Sequence, residues 1–553
     1  MSVLPSFPSA PAGMPLPQQQ PIAQQPMSQH QVELATQQQY AMYEQSSVPQ
    51  MPTGPPTTIH WFRLDALRLH DNPAFTDAVT SGQRFKAVFI IDPWFNANYN
   101  RGGPQVNVWR FLLECLQDLD SRLQKKPYRT RLNVLVGQPT VIFPELFKKW
   151  NVTKLTFQGS QVSSESVTHD EIIKLIGVQN NVQVTSFCSH TLYNPNDLIA
   201  LNKGQVPLSY KEFRCLLPMV GKPIDPIPEP DPMAVYMSTG TSEEIDDPEG
   251  KIPILQDLGF KKDESLYTNS WVGGESEALS RLSSFCTRRA MTPEEPVSWL
   301  MSKDTLSPYI RFGCLSVRQL FSQLRQFAST STKGQSLFEQ LTKNLLLREF
   351  AFLIGSSSPK FDVMYGNPVC IQLPWDENEH YLQAWREGKT GYPWIDAIIR
   401  QVRQEGWAHF LARQSIAVFL TRGYLWVSWV HGKEFFQEFM LDFELPVSSV
   451  CWMQSSCSGF FCNQVESYDP GLVGKQMDME GHYIKSYVPE LRDFPAEYIH
   501  QPWKAPMYIQ KEAGCVIGQD YPNPIVEVCE QGQLCCKRIQ NIMSALHDVY
   551  GTE

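Results

Sequence analysis

The stretch 440–454, MLDFELPVSSVCWMQ, sets two acids, Asp442 and Glu444, among Leu441, Phe443 and Leu445, a few residues before Trp452. Carboxylates with apolar neighbours are expected to be buried, and a buried charge needs a partner. Arg413, in HFLARQ, is the natural one for Asp442, because it falls on a mostly apolar helical stretch where a guanidinium persists if a carboxylate accepts its planar fork. Such a couple is either a structural salt bridge or one wall of a polar pocket inside a helical domain. Trp426 and Trp429 are three apart in LWVSW, which on a helix puts them on one face; Trp375 precedes them in LPWDENE and Trp452 follows. These indoles either fill a core or form an aromatic chain. In SKDTLSPYIRFGCLS, the hydroxyls and amides of Ser302, Thr305 and Ser307 stand before a helical pattern, where they either cap the helix or face an anionic phosphate.

The elements that must hold these residues fall into segments. Residues 1–56 are rich in Pro, Gln and Ser, with Glu33 and Glu44 as the only charges, a composition expected to remain disordered and lacking the basic residues of a targeting leader. Over 57–222, TTIHWF, KAVFIID, LNVLVG and KLTFQG read as buried parallel strands, and VNVWRFLLECLQDLDSRL as an amphipathic helix between the second and third. That is an α/β domain with a parallel sheet, without the glycine fingerprints of the common nucleotide-binding folds. Residues 223–270, proline- and acid-rich and without periodicity, read as an interdomain linker. From 271 to 553 helical periodicity dominates, in SLFEQLTKNLLLREFAFLI, WIDAIIRQVRQEGWAHFLARQSIAVFLTRG and WVHGKEFFQEFML, so the second domain is all-α. A net charge of −10 argues against a surface that coats nucleic acid, and no run of 18 apolar residues offers a membrane span. Thirteen scattered cysteines suit a reducing compartment; Cys535 with Cys536 and Cys457 with Cys462 lack the partners a zinc site requires, so no metal is expected.

With these segments in place, HWFR and LRLHDNPA, SHTLY at 189–193, LSPYIRFGCLS, LREF, GYPWIDAIIRQVRQEGWAHFLAR, FLTRGYLWVSW and YIKSYVPEL resemble the photolyase and cryptochrome flavoproteins, most closely the animal cryptochromes, over roughly residues 57–550. The resemblance implies a Rossmann-like domain followed by a helical domain that folds FAD into a U. It places Ser307, Thr305 and Leu306, with Ser302 nearby, at the pyrophosphate and ribose. Asn344 and Arg348 would line the pocket wall, with Phe410 also against the site. Asp442, paired with Arg413, would face the isoalloxazine, and the Phe443 backbone and Glu444 carboxylate its polar edge. The family's electron-transfer chain falls on Trp452, then Trp429, then Trp375, with Trp426 as an outer station.

Departures from the family shape the functional expectation. Gln454 and Leu347 stand where photolyases stack a lesion on tryptophans, and Phe410 and Gln414 replace the two histidines of (6-4) repair, so DNA lesion binding and lyase activity are not expected. Ser448 stands where the residue facing flavin N5 is Asn, Cys or Asp, and Glu444, Leu445 and Pro446 replace the family's Asp-Trp-Ser, which bears on flavin affinity. Changes in HWFRLDALRLH and GSQVSSESVTHDE leave no antenna chromophore expected in the first domain, and a chain stopping at Glu553 is expected to signal without a long tail. The resemblance thus implies a blue-light photoreceptor, a circadian transcriptional regulator, or both, acting through clock or signalling partners in nucleus and cytoplasm. The alternatives are a light-driven photolyase and a light-independent repressor with weak or no flavin.

Overall fold

The computed structural model describes residues 55–92, 106–160, 164–239, 247–260, 271–291, 296–459 and 469–550. The segment expected to be disordered over 1–56 lies, apart from its last two residues, outside the described residues. Thr53–Glu553 form one compact unit.

Five parallel strands, β1 (Thr57–Phe62), β2 (Arg84–Ile91), β3 (Leu132–Val136), β4 (Val152–Gln158) and β5 (Gln183–Phe187), lie in the order β3-β2-β1-β4-β5. All six residues of β1 are buried, as a central strand covered on both faces requires. Helix α1 (Val106–Leu123) has the bounds read from its periodicity, and α2 (Ser164–Gln179) crosses from β4 to β5. Strand β5 was not among the four expected. Its sequence QVTSF has no continuous apolar run, because it is an edge strand and its residues are only partly covered.

The linker expected over 223–270 is more ordered than its composition suggests. It contains helix α3 (Pro232–Thr239), and within its described stretch 247–260 the Gly250 carbonyl accepts from Val134 N of the edge strand β3 at 3.3 Å. Proline at the first turn of α3 suits a helix start, since its missing N–H is unneeded there.

The helical half contributes α4 (Thr332–Ser357), α5 (Pro393–Glu405), α6 (Phe410–Val418), α7 (Trp429–Phe439), α8 (Leu445–Ser455) and α9 (Val528–Tyr550). Its joint with the sheet half explains two quoted motifs. In LRLHDNPA, Arg68 donates to the Gly313 carbonyl at 3.0 Å, and the Leu69 and His70 amides donate to Glu275 at 2.8 and 3.0 Å. Asp71 accepts from Arg318 Nε at 2.9 Å. Burial alone would raise the pKa of Glu275, but His70 and Arg122 hold it down to about 2. Gly313 has φ +64°, and a Cβ there would lie 2.0 Å from the Asp65 carbonyl oxygen, so only glycine permits this approach of the two halves.

Candidate flavin site and tryptophan path

Asp442 and Arg413 meet. Helix α6 carries Arg413 in its first turn, and its Nη2 donates to Asp442 Oδ2 at 2.8 Å. The couple differs from the expected fork in one respect: Arg413 Nε turns back to the Ala408 carbonyl at 2.6 Å, so only one prong reaches the carboxylate. Ser307 Oγ supplies a second donor to Oδ2 at 2.6 Å, and Trp407 Nε1 in turn donates to Ser307 Oγ at 3.3 Å. Asp442 Oδ1 is buried and has no hydrogen-bond partner among the described residues; nor has the hydroxyl of Ser448, six residues further on. Orphaned polar atoms at such depth are costly unless a ligand with polar edges satisfies them.

The neighbouring acid does something else. Glu444, expected along the flavin's polar edge, is gripped by Arg348, whose Nε and Nη2 donate to its two oxygens at 2.8 and 2.6 Å, and His190 Nε2 lies 3.1 Å from the same carboxylate. Burial would raise the Glu444 pKa, but Arg348 and His190 hold it well below the usual carboxylate range. Arg348 is therefore occupied by Glu444 and by the His190 carbonyl at 3.0 Å, rather than standing free in a pocket wall. The Phe443 carbonyl is likewise taken, by Arg311 Nε. The extra methylene of Glu444 over aspartate gives the reach that this clamp onto the SHTLY loop uses.

Ser302 Oγ accepts from the Asp304 amide at 3.1 Å, a local turn, while Thr305 and Ser307 hydroxyls lie 3.1 Å apart beside Asp442. The helix they precede, Ser307–Arg311, is five residues long, with buried Leu306 as its N-cap. Asn344 is exposed on α4, one turn before Arg348.

On helices that otherwise form the core, Phe410 is 61% exposed, and Gln414, Cys451 and Gln454 are exposed as well. Among these, Cys451 is exposed, and burial by the surrounding protein pushes its thiol pKa up. Trp407, Arg311, His190 and Cys451 were not singled out from sequence; all four stood inside quoted stretches, GWAHFLAR, LSPYIRFGCLS, SHTLY and MLDFELPVSSVCWMQ, without a spacing rule to mark their roles.

Trp452 is buried on α8, with its indole 5.0 Å from Phe436 and 6.2 Å from Trp385. The outer edge of its indole meets α7 one turn beyond Trp429: a Cβ at Gly432 would come within 2.1 Å of the ring. Trp375 is partly buried and stands 5.0 Å from Trp426. Two expectations need correcting. Trp426 and Trp429 do not share a helix, because Trp426 has φ +51° and α7 begins only at Trp429, capped by Ser428. Nor is Trp426 outermost: it is 1% exposed, donates to the Pro374 carbonyl at 2.8 Å and lies under Arg538 of α9, while Trp375 reaches toward solvent.

Family models match this chain twice: the FAD binding domain of DNA photolyase over residues 341–541, and DNA photolyase over 58–231. The chain is 43% identical to Cryptochrome-1 of Macaca fascicularis over 504 residues, covering 88% of this chain and 83% of that protein. The chain belongs to the photolyase and cryptochrome family. Cryptochrome-2 of Gallus gallus is also 43% identical, over 90% of this chain and 85% of its own length. Among solved structures of the family, a cryptochrome from Synechocystis superposes with a TM-score of 0.76 at 25% identity, covering 88% of this chain and all of that one. A bacterial class III photolyase from Agrobacterium tumefaciens gives 0.75 at 23%, over 91% of this chain and all of its own, a likeness of fold. The chain is a cryptochrome-type flavoprotein and FAD is its cofactor. Asp442 Oδ1 and Ser448 Oγ, both polar, buried and unsatisfied, fit such a group.

One neighbour of the site has a pH signature. Glu349 receives the Leu192 and Tyr193 amides at 2.8 and 3.2 Å, yet burial raises its pKa from 4.5 to about 7. A carboxyl whose folded pKa is raised stabilises the fold fully below its unfolded value and loses that contribution as pH rises through the folded one. The window is therefore pH 4.5 to 7, and its full span is worth about 3 kcal/mol. Glu349→Gln keeps an acceptor for both amides and cannot ionise. Thermal melts at pH 5 and pH 8 are expected to show the variant gaining stability over the parent at the higher pH only; equal gains at both would refute the assignment.

Proposed function

We propose that this chain is a regulatory cryptochrome that responds to blue light and acts by binding clock or signalling proteins in nucleus and cytoplasm, without repairing DNA. What supports the reading is that Asp442 and Arg413 meet, that Trp452 and Trp429 are buried in one apolar core, and that Trp375 packs, partly buried, against that same core. This arrangement coexists with Leu347, Phe410, Gln414 and Gln454 at the positions a lesion would need. FAD, when bound, supplies a ring that absorbs blue light and accepts electrons. Asp442, Ser307 and Ser448 would hold its polar edges, with Arg413 and Ser307 fixing the orientation of the Asp442 carboxylate. Trp452 is the first indole in line to give up an electron, and Trp429 and Trp375 refill it from the solvent side. The lack of an imidazole at 410 and 414 leaves the pocket mouth without the acid and base that lesion chemistry uses.

The engagement of Glu444 by Arg348 and His190 favours a second reading, a regulator equally active in the dark. Purified chain loaded with FAD and irradiated with a reductant is expected to lose its yellow colour, while oligonucleotides carrying cyclobutane or (6-4) lesions stay unrepaired. Unchanged colour would favour the dark regulator, and restored bases would revive a photolyase.

A further inference from the structure

We infer that residues 247–250, part of the interdomain connector, form a strap that closes the β3 edge of the sheet to other strands. Strand β3 ends the order β3-β2-β1-β4-β5, so among the described residues one side of its backbone has no strand beside it. Its sequence, LNVLV, is apolar apart from one asparagine and carries neither charge nor proline, the composition that most readily adds a further strand. At the opposite edge β5, QVTSF, is largely polar. Just beyond β3, Gly137 gives its amide to the Ile91 carbonyl of β2 at 3.1 Å, so by alternation Leu132, Val134 and Val136 turn their amides outward. Two of these outward amides are taken. Asp120 Oδ1 accepts from Leu132 N at 2.8 Å, and the Gly250 carbonyl accepts from Val134 N at 3.3 Å.

The strap is pinned at several points. Glu249 N donates to Asn133 Oδ1 at 3.0 Å, and Nδ2 of the same asparagine donates to the Ala87 carbonyl of β2 at 2.8 Å. Glu249 Oε1 accepts from Trp150 Nε1 at 2.7 Å and lies 2.9 Å from Lys149 Nζ, at the end of the helix Pro139–Lys149. Gly250 allows the close approach: a Cβ there would stand 1.9 Å from the Val134 carbonyl oxygen and 2.8 Å from its carbon. Any side chain at 250 must push the strap off the strand or distort it. Pro248 has no N–H to offer a strand on the far side. Charge and proline, the residues that ordinarily end a sheet, thus stand on the connector rather than on β3 itself.

Gly250→Ala in the full chain tests the strap through hydrogen exchange resolved at the Val134 amide. Exchange there is expected to rise at least about tenfold over the parent, the loss of one backbone bond, while Leu132, held by Asp120, keeps its rate. The opened edge is expected to raise the aggregation rate at least about threefold, followed by light scattering at about 50 µM and well below each protein's melting temperature. Glu249→Ala, which removes the anchors to Trp150 and Lys149, is expected to move both readouts the same way by a smaller factor. An unchanged Val134 rate in folded Gly250→Ala overturns the strap, and a faster Val134 amide without faster aggregation overturns its role as a guard. Should Gly250→Ala misfold by circular dichroism, Glu249→Ala decides on the same two readouts.

Discussion

Trp452→Phe is expected to slow photoreduction of the bound flavin by at least about a hundredfold, equivalent to about 2.7 kcal/mol in an effective barrier, while FAD remains bound. Phenylalanine keeps an aromatic ring beside Phe436 and Trp385 and gives up the outer edge of the indole that reaches Gly432, so the fold loses only part of an aromatic ring's contacts. What it removes is the oxidisable ring at the buried end of the row. Trp429 then has no relay at position 452, and Trp385, beside it at 6.2 Å, points toward the Ile416 carbonyl through its N–H. Bleaching rates under constant blue light, with flavin content measured on the same sample, check the prediction. Unchanged rates would mean electrons enter by another route, and Trp385 is the first residue to substitute next.

Asp442→Asn is expected to weaken FAD retention by about 10- to 100-fold, the cost of one charge-assisted hydrogen bond, about 1.5–3 kcal/mol. The substitution is nearly isosteric, so shape is not the variable. It withdraws the anion from Arg413 Nη2 and from Ser307 Oγ, and it leaves a single, neutral acceptor oxygen where the carboxylate had two, the other position becoming an NH2 donor. Because Arg413 is 23% exposed, solvent softens the loss, and the larger penalties of a fully buried broken pair do not apply. The ratio of flavin to protein after gel filtration, and the FAD dissociation constant by fluorescence, measure it. Glu444→Gln makes the contrast: its carboxylate holds Arg348 and the SHTLY loop, so its loss is expected to lower thermal stability more than flavin affinity.

Several parts of this arrangement were legible from residue order. Continuous apolar runs marked β1 to β4 because central parallel strands are buried on both faces, and the 3.6-residue period marked α1 to its ends. The Asp442–Arg413 couple could be paired from the cost of burying either charge alone. Strand β5 escaped notice because an edge strand has no such pattern, and α3 because eight residues within a proline-rich connector carry too little periodicity.

Local chemistry along the chain thus determined which residues had to be inside, which family's motifs they compose, and that a carboxylate and a guanidinium would meet. Tertiary structure decided how those charges were shared. It gave Arg348 to Glu444, Ser307 to Asp442 and the Phe443 carbonyl to Arg311, and it put Trp426 within and Trp375 at the rim. Hydrogen-bond partners a hundred residues apart compete for the same acceptor, and only the folded distances settle which donor arrives. Residue types alone are silent on that competition, because Asp442 and Glu444 present the same chemistry two positions apart and differ only in what surrounds them.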